Sequence, residues 1–217
     1  MKTRILTEST KGGADKRFIE GLILQRGLFQ YGGEYDIYTQ DIAREGDTGS
    51  VGQVLEYLKN LPKEPDITSG EIKNLLIIVD ADQNIHKRFN DIRDIIKKNK
   101  DIFSLPDELG KIKKEEGKIN VGVYLFPDCN VTGALENLIL GCNDVFSDKK
   151  NCIEGYLACL DGKKIDSGMT KNQCAKAMVR IMATTPEPDN YVKNLIGLVD
   201  FESDSLDKLE AFLKEAE

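Results

Sequence analysis

Tryptophan is absent from these 217 residues, and histidine occurs once, as His86. The scarcity of imidazole narrows the chemistry, because zinc sites and histidine-based triads usually need more of it than this chain owns. Cysteine is sparse and odd in number: Cys129, Cys142, Cys152, Cys159 and Cys174, with no CxxC among them. That pattern fits reduced thiols in a cytosol rather than a disulfide framework or a zinc ribbon. Long hydrophobic runs are missing too. No window approaches the ~20 apolar residues of a membrane span, and the start, MKTRILTEST, has a basic flank without the apolar region of a signal peptide. A cytoplasmic protein with no membrane partner is expected. Positive charge is also in deficit. With 30 Lys and Arg against 37 Asp and Glu the net charge is −7, which argues against coating nucleic acid by charge alone. An enzyme whose bound metal ions carry positive charge to a phosphate stays open.

What is present is ordinary in bulk, 40% apolar and 31% charged, as in soluble globular proteins. A chain of this length buries roughly 70% of the surface its unfolded form exposes, enough for a core without covalent staples. One large domain, or one domain with an appendage, is expected. If a metal is bound, carboxylates are the main ligand supply, and that selects Mg²⁺ or Mn²⁺.

The coarse pattern is α/β. Residues 4–8 (RILTE) form a strand candidate. Residues 15–29 follow with Phe18, Ile19, Leu22 and Ile23 on one helical stripe. Residues 35–38 read as a second strand, 51–61 as a helix stopped by Pro62, and 63–70 as a loop. The aliphatic run at 75–79 suits a strand covered on both faces. Residues 85–98 are helical in pattern, 99–118 form a lysine-rich surface excursion, and 119–126 are a strand stopped by Pro127. Residues 132–217 carry four or five helical patterns. The domain reading is an α/β core over 1–147 and a helical C-terminal extension over 148–217 packed on it. Strands alternating with helices imply a mostly parallel sheet flanked by helices, with its working site at the carboxyl ends of the strands.

Glu8, Asp80 and Asp128 each stand at or just past such an end. In LLIIVDADQN, Asp82 or Asn84 capping the next helix accounts for one acid but not two. Paired carboxylates at the end of a buried strand repel unless something positive lies between them. Alternation along an extended segment points Asp80 and Asp82 the same way, toward one oxygen-coordinated ion. The loop STKGGAD after Glu8 lacks P-loop order, although Lys11 and its glycines precede a helix start that favours phosphate. Asp15 reads as an N-cap. Glu136, among Leu135, Leu138 and Ile139, is expected to be partly buried. Lys171, Lys176 and Arg180 share one helix, with Lys176 and Arg180 at i, i+4 spacing.

These residues resemble a Toprim domain, the topoisomerase–primase fold also found in OLD-family nucleases, which pairs a glutamate after its first strand with a DxD after a later one. The matching residues are Glu8 in ILTESTKGGADKRFIEGL and Asp80 and Asp82 in LLIIVDAD. The chain is most similar to small stand-alone Toprim-like prokaryotic proteins of unknown function. VDADQNIHKRFNDIRDII, LFPDCNVTGALENLIL, NQCAKAMVRIMA and DFESDSLDKLEAFL match their segments in order. The family's first motif reads close to EGxxD, whereas Ser9 follows Glu8 here and Asp15 comes seven residues later. The resemblance implies a Rossmann-like core and Mg²⁺- or Mn²⁺-dependent cleavage or transfer at a phosphodiester of a nucleic acid or nucleotide. Asp80 and Asp82 would hold the metal, with Glu8 as ligand or general base. Asp128 and Glu136 would be further metal groups, and Lys176 would stabilise negative charge.

Two other readings stand beside this one. A catalytically silent Toprim-shaped interaction module of a defence or repair system fits the absence of a basic track. A haloacid-dehalogenase-like aspartyl-phosphate phosphatase fits IIVDAD, although that motif normally lies near the first strand and is followed by Thr or Val. The amphipathic stripes after residue 148 would serve either to close over the site or to form a homodimer surface.

Overall fold

Strands β1 (Lys2–Thr10), β2 (Glu34–Gln40), β3 (Ile72–Asp80), β4 (Ile112–Lys113) and β5 (Asn120–Phe126) form one sheet in the order β2-β1-β3-β5-β4. The computed structural model of the protein describes residues 2–10, 13–29, 34–40, 51–142, 147–162, 170–184 and 191–217. β1 pairs in parallel with β2 and β3, and β3 in parallel with β5; β4 alone runs antiparallel, along the edge of β5. The fold is a mixed α/β, Rossmann-like arrangement with helices on both faces.

Period-2 alternation divides the core between those faces. Ile5, Leu76, Ile78, Tyr124 and Phe126 point into one layer, with α1 (Ala14–Gln25), α5 (Leu135–Gly141), α7 (Lys171–Thr184), α8 (Tyr191–Gly197) and α9 (Asp207–Lys214). Leu6, Leu75, Ile77, Val79, Val121, Val123 and Leu125 point into the other, against α2 (Val51–Asn60), α3 (Pro65–Thr68) and α4 (Ile85–Lys97). A strand covered on both faces must be apolar at every position, which is why residues 75–79 carry no polar side chain. Ile153, on α6 (Ser147–Gly162), joins the first layer. Among the described residues no helix is long and apolar enough to cross a membrane.

Several elements depart from the sequence expectation for local reasons. β1 runs longer than 4–8, because its parallel partners on both sides extend the ladder. α1 stops at Gln25, short of residue 29, where Gly27 and Phe29 adopt φ of 64° and 59°. Residues 63–70 are not all loop: Pro65 opens the short α3, since a proline in the first helical turn loses no hydrogen bond. The stretch 99–118 is more than a surface excursion. Phe103 and Ile112 are buried, the Phe103–Ile119 bridge pairs it with the sheet, and Ser104 Oγ accepts from Val121 N at 2.8 Å.

The C-terminus is tied into the sheet. Ala216 O accepts from Asn74 Nδ2 at 2.9 Å, and Glu215 carboxylate accepts from Ile112 N at 2.9 Å. Phe212 lies over β5 where Gly122 offers no side chain; a Cβ there would stand 2.7 Å from Phe212 Cε2 and 2.9 Å from Ile112 Cγ1. Gly122→Ala is therefore expected to lower unfolding stability by about 1–3 kcal/mol through overpacking. An unchanged urea midpoint would remove α9 from this seat.

Candidate functional site

The sheet order fixes where a ligand would bind. From β1 the chain crosses by α1 on one face to β2, then returns by α2 and α3 on the other face to β3, on the far side of β1. The connections that leave β1 (through α1) and β3 (through α4) go to opposite faces, and in open α/β sheets a crevice forms at the carboxyl ends of such a strand pair. Glu8 and Asp80 stand at that point. The β1–β3 register pairs Thr7 with Ile78, so Glu8 arrives beside the end of β3. Its Oε1 accepts from Asp80 N at 3.0 Å.

Asp80 is held on both carboxylate oxygens. Oδ1 accepts from Leu135 N, the first residue of α5, at 3.0 Å, and Oδ2 lies 3.5 Å from Lys176 Nζ on α7. Beyond it the chain leaves the strand. Asp82 has φ 51°, and its amide donates to Gly133 O at 2.8 Å. Two side chains pin this turn: Arg88 Nε donates to Asp80 O at 3.1 Å while its Nη2 pairs with the Asp82 carboxylate, and Asn172 Nδ2 donates to Asp82 O at 3.1 Å. Asn84 caps α4, accepting from Lys87 N at 2.8 Å. Asp82 is thereby left for Arg88.

The electrostatics are those of crowded acids. Burial, reinforced by the Asp80 charge, pushes Glu8 up to about 8, although the Asp80 amide and Arg88 pull the other way. Burial also lifts Asp15 to about 7, with repulsion from Asp80 and Glu136 added. Asp80 rises to about 6, chiefly by burial, with Lys176 opposing. Burial works against the Lys176 charge, but Asp80, Glu136 and Asp82 outweigh it and hold the ammonium above its usual range. Asp80 thus couples to Glu8, Asp15 and Glu136, and Lys176 opposes the crowding at Asp80 and Asp15.

Of the residues expected from sequence, Glu8, Asp80, Asp82, Glu136 and Lys176 come together here. Asp128 does not join their contacts. It accepts from Asn130 N and Val131 N within its own turn and pairs with Lys208 at 2.9 Å. Those partners outweigh its burial and hold its carboxyl below the usual range. The expected like orientation of Asp80 and Asp82 is also corrected: β3 ends at Asp80, and the left-handed residue at 82 breaks the alternation on which that expectation rested. Asp15 is not the N-cap of α1. Gly13 takes that position, and Asp15 sits in the first turn, facing the acids. Arg180 is exposed; Lys11 and the Lys171 side chain lie outside the described residues. Arg88 and Asn172 are additions to the sequence reading. Asn172 precedes Lys176 by one helical turn, the signal that would have found it.

Every candidate ligand is a hard carboxylate oxygen, and the raised proton affinity of Glu8 and Asp80 marks negative charge short of a counter-ion. That donor chemistry fits Mg²⁺ or Mn²⁺. As the side chains stand, no group of three or more His, Cys, Asp or Glu among the described residues is drawn close enough to hold an ion. Arg88 and Lys176 occupy Asp82 and Asp80 instead.

Alongside lies a polar cleft of about 470 Å³ between α4 and α7, bordered by Asp82, Lys87, Arg88, Thr170, Asn172 and Lys176. Asp82 and Lys176 belong both to this cleft and to the acidic centre, so the two spaces communicate through them.

In comparison with protein-family models the chain matches one over residues 5–217, described as Protein of unknown function (DUF3226). No curated protein and no solved structure matches it.

The raised carboxyls make a signed pH prediction. Folded Glu8, Asp15 and Asp80 bind protons more tightly than their unfolded forms, so their stabilisation is full below about pH 4, the unfolded range, and is lost as pH climbs through about 6 to 8. In chelator the melting temperature should fall from pH 5 to pH 8, and Glu8→Gln should flatten the slope. A pH-independent melt in the parent protein would contradict the crowding.

Proposed function

We propose that this chain, which belongs to the DUF3226 family, performs Mg²⁺- or Mn²⁺-dependent phosphodiester chemistry of Toprim type on a nucleic acid or nucleotide. The observation that carries the reading is the pairing of Glu8 with Asp80 at the β1/β3 crevice, with Lys176 on the Asp80 carboxylate and Asp82 two residues beyond. Asp80 and Asp82 would hold the cation, with Glu8 either completing its shell or serving as general base; Glu136 lies near enough to add to the field. When bound, such an ion neutralises charge on a phosphoryl group and lowers the pKa of water.

The chain's own residues contribute the rest. Glu8, with a proton affinity near neutrality, suits a general base, because a base works best when its pKa lies near the working pH. Lys176 keeps its charge against burial and supplies a fixed cation for a developing oxyanion. The Asp80 amide orients Glu8, Leu135 N orients Asp80, and Arg88 and Asn172 hold the turn that presents Asp82. Free cysteines at all five positions support a reducing, cytoplasmic setting.

One observation favours a second reading, the silent interaction module. Arg88 and Lys176 already balance Asp82 and Asp80 within the protein, so the acids have a structural role open to them.

A thermal-shift titration with Mg²⁺ and Mn²⁺ separates the two. At a hundredfold excess over Kd a site-bound ion should stabilise the fold by about 2.7 kcal/mol, and Asp80→Asn should abolish both that shift and any cleavage of single-stranded, duplex or RNA substrates. Lys176→Ala should keep the shift and lower turnover roughly 10²–10³-fold. Full metal affinity in Asp80→Asn would refute the site, and stabilisation without turnover would favour the module.

A further inference from the structure

We propose that the cleft between α4 and α7 seats the terminal phosphate monoester of a nucleotide or of a single-stranded oligonucleotide end, held by Lys87, Arg88 and Lys176. The reaction that follows rests on the proposed function; the binding itself does not.

Size comes first. About 470 Å³ is within the range of pockets that enclose one small ligand, so one nucleotide unit suits it and a duplex does not. No aromatic side chain lines the cleft. Proteins that track along single strands stack successive bases on aromatic rings, and the net charge of −7 supplies no extended basic path beyond it. A chain end fits these walls better than a strand passing through.

Charge comes next. The cleft's lining carries three cations, Lys87 and Arg88 on α4 and Lys176 on α7, and two carboxylates, Asp82 and Asp91; Arg88 is paired with Asp82, and Lys176 with Asp80 outside the lining. Among the described residues the Lys87 side chain has no ion pair or hydrogen bond. Arg88 spends Nε and Nη2 on the Asp82 turn, and its remaining donors have no partner there. A monoester carries nearly two negative charges and three acceptor oxygens, one for each cation, whereas an internal diester carries a single charge.

Part of the backbone at the two helix starts is already engaged. At the start of α4 the Lys87 amide is taken by Asn84 Oδ1. At the start of α7, Gln173 N donates to Thr170 Oγ1 and Thr170 N to Gln173 Oε1. With these donors spent on caps, the proposed seat rests mainly on side chains, unlike a glycine-rich phosphate cradle. A phosphate so placed would lie beside Lys176, whose other contact is Asp80 in the acidic centre.

Fluorescence anisotropy on the full chain in EDTA tests the seat without any metal. Three labelled hexanucleotides, with a 5′-phosphate, a 3′-phosphate or neither, are compared, with nucleoside monophosphate and inorganic phosphate as competitors. One phosphorylated end should bind at least about tenfold tighter than the unphosphorylated strand, the increment of one or two charge-assisted hydrogen bonds. Competition by monophosphate alone assigns the seat to a nucleotide; competition by inorganic phosphate as well assigns it to the phosphate group. Lys87→Gln, which breaks no described contact, should lose roughly three- to tenfold. Equal binding of the three strands overturns the proposal, as does an unaffected Lys87→Gln. Because no turnover or metal response is read, failure of the phosphodiester reading leaves this outcome standing, and the reverse holds equally.

Discussion

One hydrogen bond organises the upper rim of this sheet: the Glu8 carboxylate on the Asp80 amide. It exists because β1 and β3 run side by side in parallel, in a register that ends both strands at the same level. The bond costs something. A carboxylate brought out of water and up to another carboxylate is destabilised by desolvation and by repulsion, and both causes appear in the raised proton affinity of Glu8. A chain selected only for stability would place an apolar or neutral group here. The sheet instead gathers Glu8, Asp15, Asp80 and Glu136 around the crevice, where connections to opposite faces leave room for a ligand. Strain of this kind is what functional sites are built from.

The charge that offsets these acids comes from distant parts of the chain. Arg88 lies on the helix that follows Asp82, whereas Lys176 and Asn172 come from α7, 96 and 90 residues from the aspartates they contact. The helical region after residue 148 is thus part of the site and part of the core. Met178, Val179, Met182 and Ala183 of α7 pack in the same layer as Phe18 and Leu22 of α1. One face of α7 anchors it in apolar contacts; the neighbouring face delivers an amide and an ammonium one turn apart. Moving α7 without disturbing the acids would break the core layer beneath it. The acidic centre and its cation are therefore positioned by a single packing arrangement.

The strands and the acids at their ends were legible in the sequence because both signals are local. Five aliphatic residues in a row specify a doubly covered strand, and a DxD directly after them declares crowded charge. Boundaries were harder. Nothing local says that β1 continues past Glu8 or that Ile112 pairs with Gly122, because parallel and edge pairings are set by partners far along the chain. Asp82 departs from extended alternation for a related reason: a left-handed residue intervenes, held by Gly133 O, Arg88 and Asn172. Asp15 had a plausible local role as a cap, which concealed its tertiary one. Asp128 stands apart. Its position after β5 suggested the site, but its turn amides and Lys208 satisfy it where it stands.

The Asp82 turn also limits how the centre can change. Its carboxylate is tied to Arg88, and Arg88 in turn holds the Asp80 carbonyl, so releasing the carboxylate need not release the turn. Asn172 secures the same residue by its carbonyl oxygen, independently of charge. The backbone of the DxD segment is thus fixed by contacts that a change of counter-ion at Asp82 would leave in place, while the side chain alone is free to exchange partners. Asp80 lacks that freedom, since Leu135 N and Lys176 engage both of its oxygens. Of the two aspartates, Asp80 is the fixed point of the centre and Asp82 the adjustable one, a division set by hydrogen bonds rather than by their shared chemistry.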